Sequence, residues 1–170
     1  MKILIAYFSF TGRTEKVANS LCENFSKFKI EFDVFKIEPI LNLPYLFWLL
    51  LSFFPKLPFP LKKFKLSSVY DIIVLGTPKW TFNCPPVISF VNFLKSNFKD
   101  AKKPKVAFYI TYGGFKEDAF IEKLLKIFKA NGFEVVEFDK FKRRDIDEGK
   151  VFERVEVFVN KILMHLNQSI

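Results

Sequence analysis

The chain has 170 residues, 50% of them hydrophobic and 24 of them Phe, which supplies one domain's worth of core and excludes a disordered polar chain. Its 27 Lys and Arg against 18 Asp and Glu give a formal net charge of +9, which favours acidic partners or surfaces. Two cysteines, Cys22 and Cys84, and a lone His165 exclude a disulfide framework and a structural metal.

The first apolar run, Lys2 to Phe8, reads as a buried strand. It has neither the length nor the ending of a signal peptide, so the expected setting is reducing and cytoplasmic. It breaks at Ser9-Phe10-Thr11-Gly12-Arg13-Thr14, after which Val17, Ala18, Leu21, Phe25 and Phe28 recur at helical spacing. A strand that breaks into hydroxyls and one glycine, then restarts as a helix, aims backbone N–H groups and the positive end of the helix dipole at one point. That arrangement suits a phosphate. The hexad lacks the Gly-Lys-Ser/Thr ending of a triphosphate grip and the three glycines of a dinucleotide fingerprint, which leaves a single phosphomonoester. The structural alternative is an ordinary helix cap of Ser and Thr.

An alternating run from Ile30 to Ile37 reads as a second strand. The segment from Ile40 to Leu66 is unusual. Its apolar run, Leu43 to Phe54, is about a dozen residues long, too short to span a bilayer, and Pro55, Pro58 and Pro60 interrupt the remainder of the segment. Three readings stay open: an overpacked crossover, a dimer or partner surface, and a flap over an apolar substrate or a membrane interface. Lys56, Lys62, Lys63 and Lys65 suit anionic headgroups or a solvated loop equally.

Asp71 to Gly76 forms the third predicted strand. It runs into Thr77, Pro78, Lys79, Trp80, Thr81, Phe82, Asn83 and Cys84, then a helical stripe of Val87, Phe90, Val91, Leu94 and Phe98. The fourth strand, Lys105 to Thr111, ends in Tyr112, Gly113, Gly114 and Phe115, ahead of a stripe of Phe120, Leu124, Ile127 and Phe128. Phe133 to Phe138 is the fifth strand, followed by a basic loop with Lys140, Lys142, Arg143 and Arg144 and a last helix carrying Val151, Val155, Phe158, Ile162 and Leu166. Strand and helix alternating in this way call for an α/β three-layer sandwich around a five-stranded parallel sheet, with ligands beyond the carboxyl ends of the strands.

The spacing of the hexad resembles the Ser/Thr-x-Thr-Gly-x-Thr phosphate loop of the flavodoxin family, and the loops at Gly76 to Pro86 and Thr111 to Phe115 fall where that family wraps its flavin. The resemblance covers nearly the whole chain and implies a single flavodoxin-like domain, strand order 2-1-3-4-5, with an apolar insertion at about 40–66. It implies FMN as cofactor, its phosphate held by Ser9, Thr11, Gly12, Arg13 and Thr14. Thr77, Pro78, Lys79, Trp80, Thr81, Phe82 and Asn83, together with Thr111, Tyr112, Gly113 and Gly114, would then flank the ring, with Trp80 and Tyr112 as stacking candidates. The chain departs from the family in its insertion and in its basic charge, since flavodoxins are mostly acidic.

No Ser-His-Asp or Cys-His arrangement and no carboxylate pair is available, so no catalytic side chain is assigned and the chemistry falls to the cofactor. The expected function is transfer of electrons or hydride through the flavin, by an oxidoreductase or an electron carrier, to a partner protein or a small acceptor, including one that is quinone-like or membrane-adjacent. NAD(P)H as donor, a homodimer and peripheral membrane contact stay open, and no motif points to specific nucleic-acid recognition. The alternative is a non-catalytic interaction module that presents the apolar segment and the basic rim to a partner or membrane surface.

Overall fold

The computed structural model describes residues 2–66, 69–99 and 101–167. Five strands, β1 (Lys2–Tyr7), β2 (Glu31–Lys36), β3 (Ile72–Pro78), β4 (Lys105–Tyr112) and β5 (Val135–Lys142), form one sheet in the order β2-β1-β3-β4-β5. Every pairing is parallel, so the expected three-layer architecture and strand order are those observed. The register sets Tyr7 beside Gly76, Gly76 beside Tyr109 and Pro78 beside Thr111, which gathers three strand ends at one edge. The order of β1 and β3 reverses the winding there, and loops leaving them diverge to open a crevice.

Alternation of side chains along β1, β3 and β4 feeds two cores. On one face, Ile3, Ile5, Val74 and Tyr109 pack under α1 (Arg13–Lys27) and under the C-terminal helix, where Val155, Phe158, Val159 and Ile162 are buried. On the other, Leu4, Ala6, Leu75, Phe108 and Ile110 pack under α3 (Pro85–Asn97) and α4 (Glu117–Ala130). The central strands are buried on both sides, which is why their sequences read as unbroken apolar runs. Phe28, placed on the first helical stripe, instead caps α1 and is exposed, because the helix ends one residue before it. The Leu166 side chain, at the end of the last stripe, lies outside the described residues.

Between β2 and β3 runs the segment expected from the sequence to be an insertion. Pro44 starts a short helix, α2 (Tyr45–Leu51), and the chain then returns through the prolines to an antiparallel bridge between Pro39 and Leu61. Trp48 is 1% exposed and sits against Phe59 and the core, while Phe35, Phe64, Phe90 and Phe93 form an aromatic cluster that seals the sheet beside β2. A second difference lies at β5, which continues to Lys142 rather than ending at Phe138. As an edge strand it tolerates charged side chains. Lys140 pairs with Asp118 at 2.7 Å, and Asp139 pairs with Arg154. Lys140 and Lys142 therefore belong to the strand, and Arg143 and Arg144 open α5 (Arg143–Asp147). The last helix, α6, spans Phe152–Asn167.

Candidate cofactor site

The site starts where β1 runs out. Gly12 at φ 79° turns the chain into α1, a left-handed conformation that a side chain would strain. The N–H groups of Thr11, Gly12, Arg13 and Thr14 find no acceptor among the described residues, whereas the Glu15 N–H donates to the Ser9 Oγ at 3.3 Å and that of Lys16 to the Gly12 carbonyl at 2.9 Å. A run of open donors at the positive end of a 15-residue helix is an anion cradle.

Two buried contacts hold the cradle on the sheet. The hydroxyls of Thr14 and Thr111 share a hydrogen bond at 2.9 Å, and the Tyr109 hydroxyl donates to the Thr14 carbonyl at 2.9 Å. Tyr109 fits beneath because Gly76 on the neighbouring strand has no side chain: a Cβ there would lie 2.3 Å from the phenol ring. On the outer side, Arg13 forks onto Asp147 of α5, Nε at 3.0 Å and Nη2 at 2.8 Å, and its Nη1 donates to Thr11 Oγ1 at 3.3 Å. The hydrogen bonds from Arg13 hold the Asp147 carboxyl below the usual aspartate range.

The loop after β3 is tied from both sides. The Lys79 N–H donates to the Thr111 carbonyl at 2.8 Å and its ammonium to the Phe115 carbonyl, linking this loop to the one after β4. From the insertion, Ser52 accepts at Oγ from the Thr81 N–H (3.2 Å) and at its carbonyl from the Phe82 N–H (3.0 Å), while Asn83 donates to the Phe54 carbonyl at 2.6 Å. Gly113 lies against the Arg143 guanidinium, and Gly114 takes φ 106°. Burial, with Arg143 adding to it, pushes the Lys79 ammonium below its ordinary range against the pull of Glu117.

These loops enclose a cavity of about 250 Å³ between Thr11, Arg13, Tyr45, Trp80, Thr111 and Arg143, with Pro78 and Phe10 completing its wall. Phe10 also borders a neighbouring cavity of about 380 Å³ that reaches Ser9, Lys36 and Asn42. The Phe10 ring tilts against Tyr45 at 5.7 Å and meets Trp80 edge-on at 6.5 Å. Thr11, Arg13, Pro78, Trp80 and Thr111, all singled out from the sequence, thus share one cavity. Ser9 lies in the adjoining one, and Thr14 and Thr77 are buried beneath. Thr81, Phe82 and Asn83 turn toward the insertion, and the Tyr112 ring sits under the Lys140 ammonium at 6.0 Å rather than on the cavity wall. One face of Trp80 stacks on Trp48. Three lining residues were not assigned to the site from sequence: Phe10, inside the hexad; Arg143, inside the basic run; and Tyr45, the first residue of α2, for which the sequence held no positional signal.

Sheet order, cradle and flanking loops define a flavodoxin-like α/β protein. An uncharacterized protein of Archaeoglobus fulgidus is 33% identical over 142 residues, 84% of this chain and 86% of that protein, and the chain belongs to its family. No protein-family model matches the chain. Among solved structures, oxidised flavodoxin 2 from Bacillus cereus superimposes with a TM-score of 0.64 at 22% identity, covering 97% of this chain and 99% of that one. A flavoprotein from Lactobacillus acidophilus in complex with FMN superimposes with a TM-score of 0.60 at 18% identity, covering 86% and 97%. No helix among the described residues is long and apolar enough to cross a membrane.

Proposed function

We propose that the protein binds FMN at the carboxyl edge of its sheet and acts as a flavin-dependent redox protein. The observation that carries this reading is the set of open N–H donors from Thr11 to Thr14, of which Thr11 and Arg13 line a cavity with aromatic and cationic walls. The cradle fits a phosphate dianion in charge and donor count, and a structural neighbour of the same fold is a flavoprotein in complex with FMN. When bound, FMN supplies one- or two-electron chemistry that no side chain here could perform.

The chain's own residues would do the rest. The N–H groups of the first turn of α1 hold the phosphate and Thr11 adds a hydroxyl, while Arg13, its charge balanced by Asp147, ties the start of α1 to α5. Phe10, Tyr45 and Trp80 supply apolar walls, and Arg143 sets a positive charge beside the Gly113 backbone. The acceptor class that best suits this rim is an apolar, quinone-like molecule, because Tyr45 opens the cavity onto a surface where Leu46, Phe47 and Leu50 are exposed.

The test is a comparison of FMN with riboflavin, which carries the same ring without the phosphate. Two charge-assisted hydrogen bonds of about 1.5–3 kcal/mol each predict at least about 100-fold tighter binding of FMN, and Thr11→Ala should narrow that gap. Protein that takes up no flavin absorbance at about 450 nm, or binds both flavins equally, would end the proposal.

A further inference from the structure

A groove of about 530 Å³, sharing no lining residue with the cofactor cavity, opens between α3 and α4. Lys56, Lys95, Lys123 and Lys126 line it, and no carboxylate does. None of the four makes an ion pair among the described residues, unlike Lys62 and Lys140, which each face a carboxylate. Burial and the nearby Lys56 ammonium push the Lys123 pKa down, as expected where like charges are gathered without a counter-ion. Lys56 reaches the groove from a left-handed backbone at φ 65°, a conformation that a non-glycine residue holds only when its surroundings impose it.

The groove is continuous with an apolar ridge. The Lys123 ammonium lies 5.3 Å from the centre of the Phe82 ring, and Phe82 meets Phe53 edge-on at 6.0 Å. From Phe53 and Phe54 the ridge continues back along α2 at helical spacing through Leu50, Phe47 and Leu46, the last 72% exposed. Between Glu38 and Asp71 the chain contains four lysines and no acidic residue. Exposed apolar side chains beside unpaired lysines, over a stretch empty of negative charge, have the chemistry of an interfacial anchor.

We propose that this face docks on an anionic lipid bilayer, with Leu46, Phe47, Leu50, Phe53 and Phe54 entering the interface and the lysine groove receiving lipid phosphates. A second copy of the chain is a poorer occupant, because a two-fold contact through this face would bring two sets of unpaired lysines together. The surface does not depend on the cofactor, so its test uses the full chain with and without FMN.

The experiment is co-sedimentation with large vesicles of mixed phosphatidylserine and phosphatidylcholine, and with vesicles of phosphatidylcholine alone. The protein should sediment with the anionic vesicles at low salt, be released as salt is raised, and bind the neutral ones far more weakly. The quadruple variant Lys56→Gln, Lys95→Gln, Lys123→Gln and Lys126→Gln should lose about 100-fold or more in partitioning. Leu46→Ser with Phe47→Ser should weaken binding to both kinds of vesicle while the circular dichroism of the fold is kept. Absence of binding to anionic vesicles at low salt overturns the proposal. So does sedimentation equilibrium showing a dimer that these serine substitutions dissolve, or binding that the quadruple variant leaves unchanged.

Discussion

Trp48 stacks on Trp80 with ring centroids 5.8 Å apart and planes 23° from parallel, so the insertion and a wall of the cofactor cavity share one buried aromatic contact. Phe8, at the end of β1, meets both rings edge-on, at 6.1 and 5.5 Å. Removing Trp48 would leave a void under Trp80 and cost about 3–5 kcal/mol, the usual range for a buried aromatic truncated to Ala. Trp48→Ala should show that loss in urea denaturation and should also weaken FMN binding, whereas Trp48→Phe should retain most of both. Unchanged FMN affinity in a folded Trp48→Ala protein would mean that the insertion does not brace the cavity.

Gly76 offers a second test, one that acts from inside the sheet. Its missing Cβ is the space that the Tyr109 ring occupies, and Tyr109 in turn donates to the Thr14 carbonyl under the cradle. Gly76→Ala should therefore displace Tyr109 and destabilise the fold by about 1–3 kcal/mol through overpacking. Tyr109→Phe leaves the ring and removes only the buried hydrogen bond, worth about 1 kcal/mol. Its signature should be faster amide exchange in the first turn of α1, with little change elsewhere.

How far the sequence revealed the structure differs element by element. The buried central strands and the α3 stripe could be read because the sequence pattern follows burial directly, and the hexad could be read because open donors at a helix start need a Gly and small polar residues. β5 ran longer than its apolar stretch because an edge strand is set by backbone pairing with β4 and by ion pairs such as Lys140 with Asp118. The insertion was opaque for a different reason. Trp48 and Leu46 are two residues apart and both hydrophobic, yet one is buried and the other is largely exposed, a division set by contacts of Trp48 with Phe59 and with Phe8 and Trp80 from other parts of the chain. Tyr45 reached the cavity by the same tertiary route.

The cysteines report on packing through their acidity. Burial pushes the Cys84 thiol up to about 12, and raises that of half-buried Cys22 as well. Only the thiolate reacts, so the folded-state barrier to labelling persists up to a pH near that raised value, and it disappears when unfolding restores the ordinary thiol range. At about pH 8, close to that ordinary range, a maleimide should modify Cys22 slowly and Cys84 only in denaturant. Mass spectrometry of the labelled peptides checks this. Rapid labelling of Cys84 in the native protein would show that the start of α3 opens, and with it the wall that carries Trp80.

Arg143 is the residue by which this chain should differ most from an acidic flavodoxin. Its guanidinium lines the cavity and lies within 3.4 Å of where a Gly113 Cβ would be, while Arg13, the other cation on the wall, is neutralised by Asp147. A positive charge there favours whichever state of a bound flavin carries more negative charge, which is the reduced one, and so raises the potential. An interaction of about 1.4 kcal/mol, reasonable for charges several ångströms apart in a partly solvated site, corresponds to about 30 mV for a two-electron couple. Arg143→Gln should lower the midpoint of the FMN-loaded protein by about that amount, and Arg143→Lys should recover part of it. Arg144→Gln, one residue along on an exposed side chain paired with Glu148, should leave the midpoint unchanged. Equal shifts in the two glutamine variants would assign the effect to overall charge and remove Arg143 from the site.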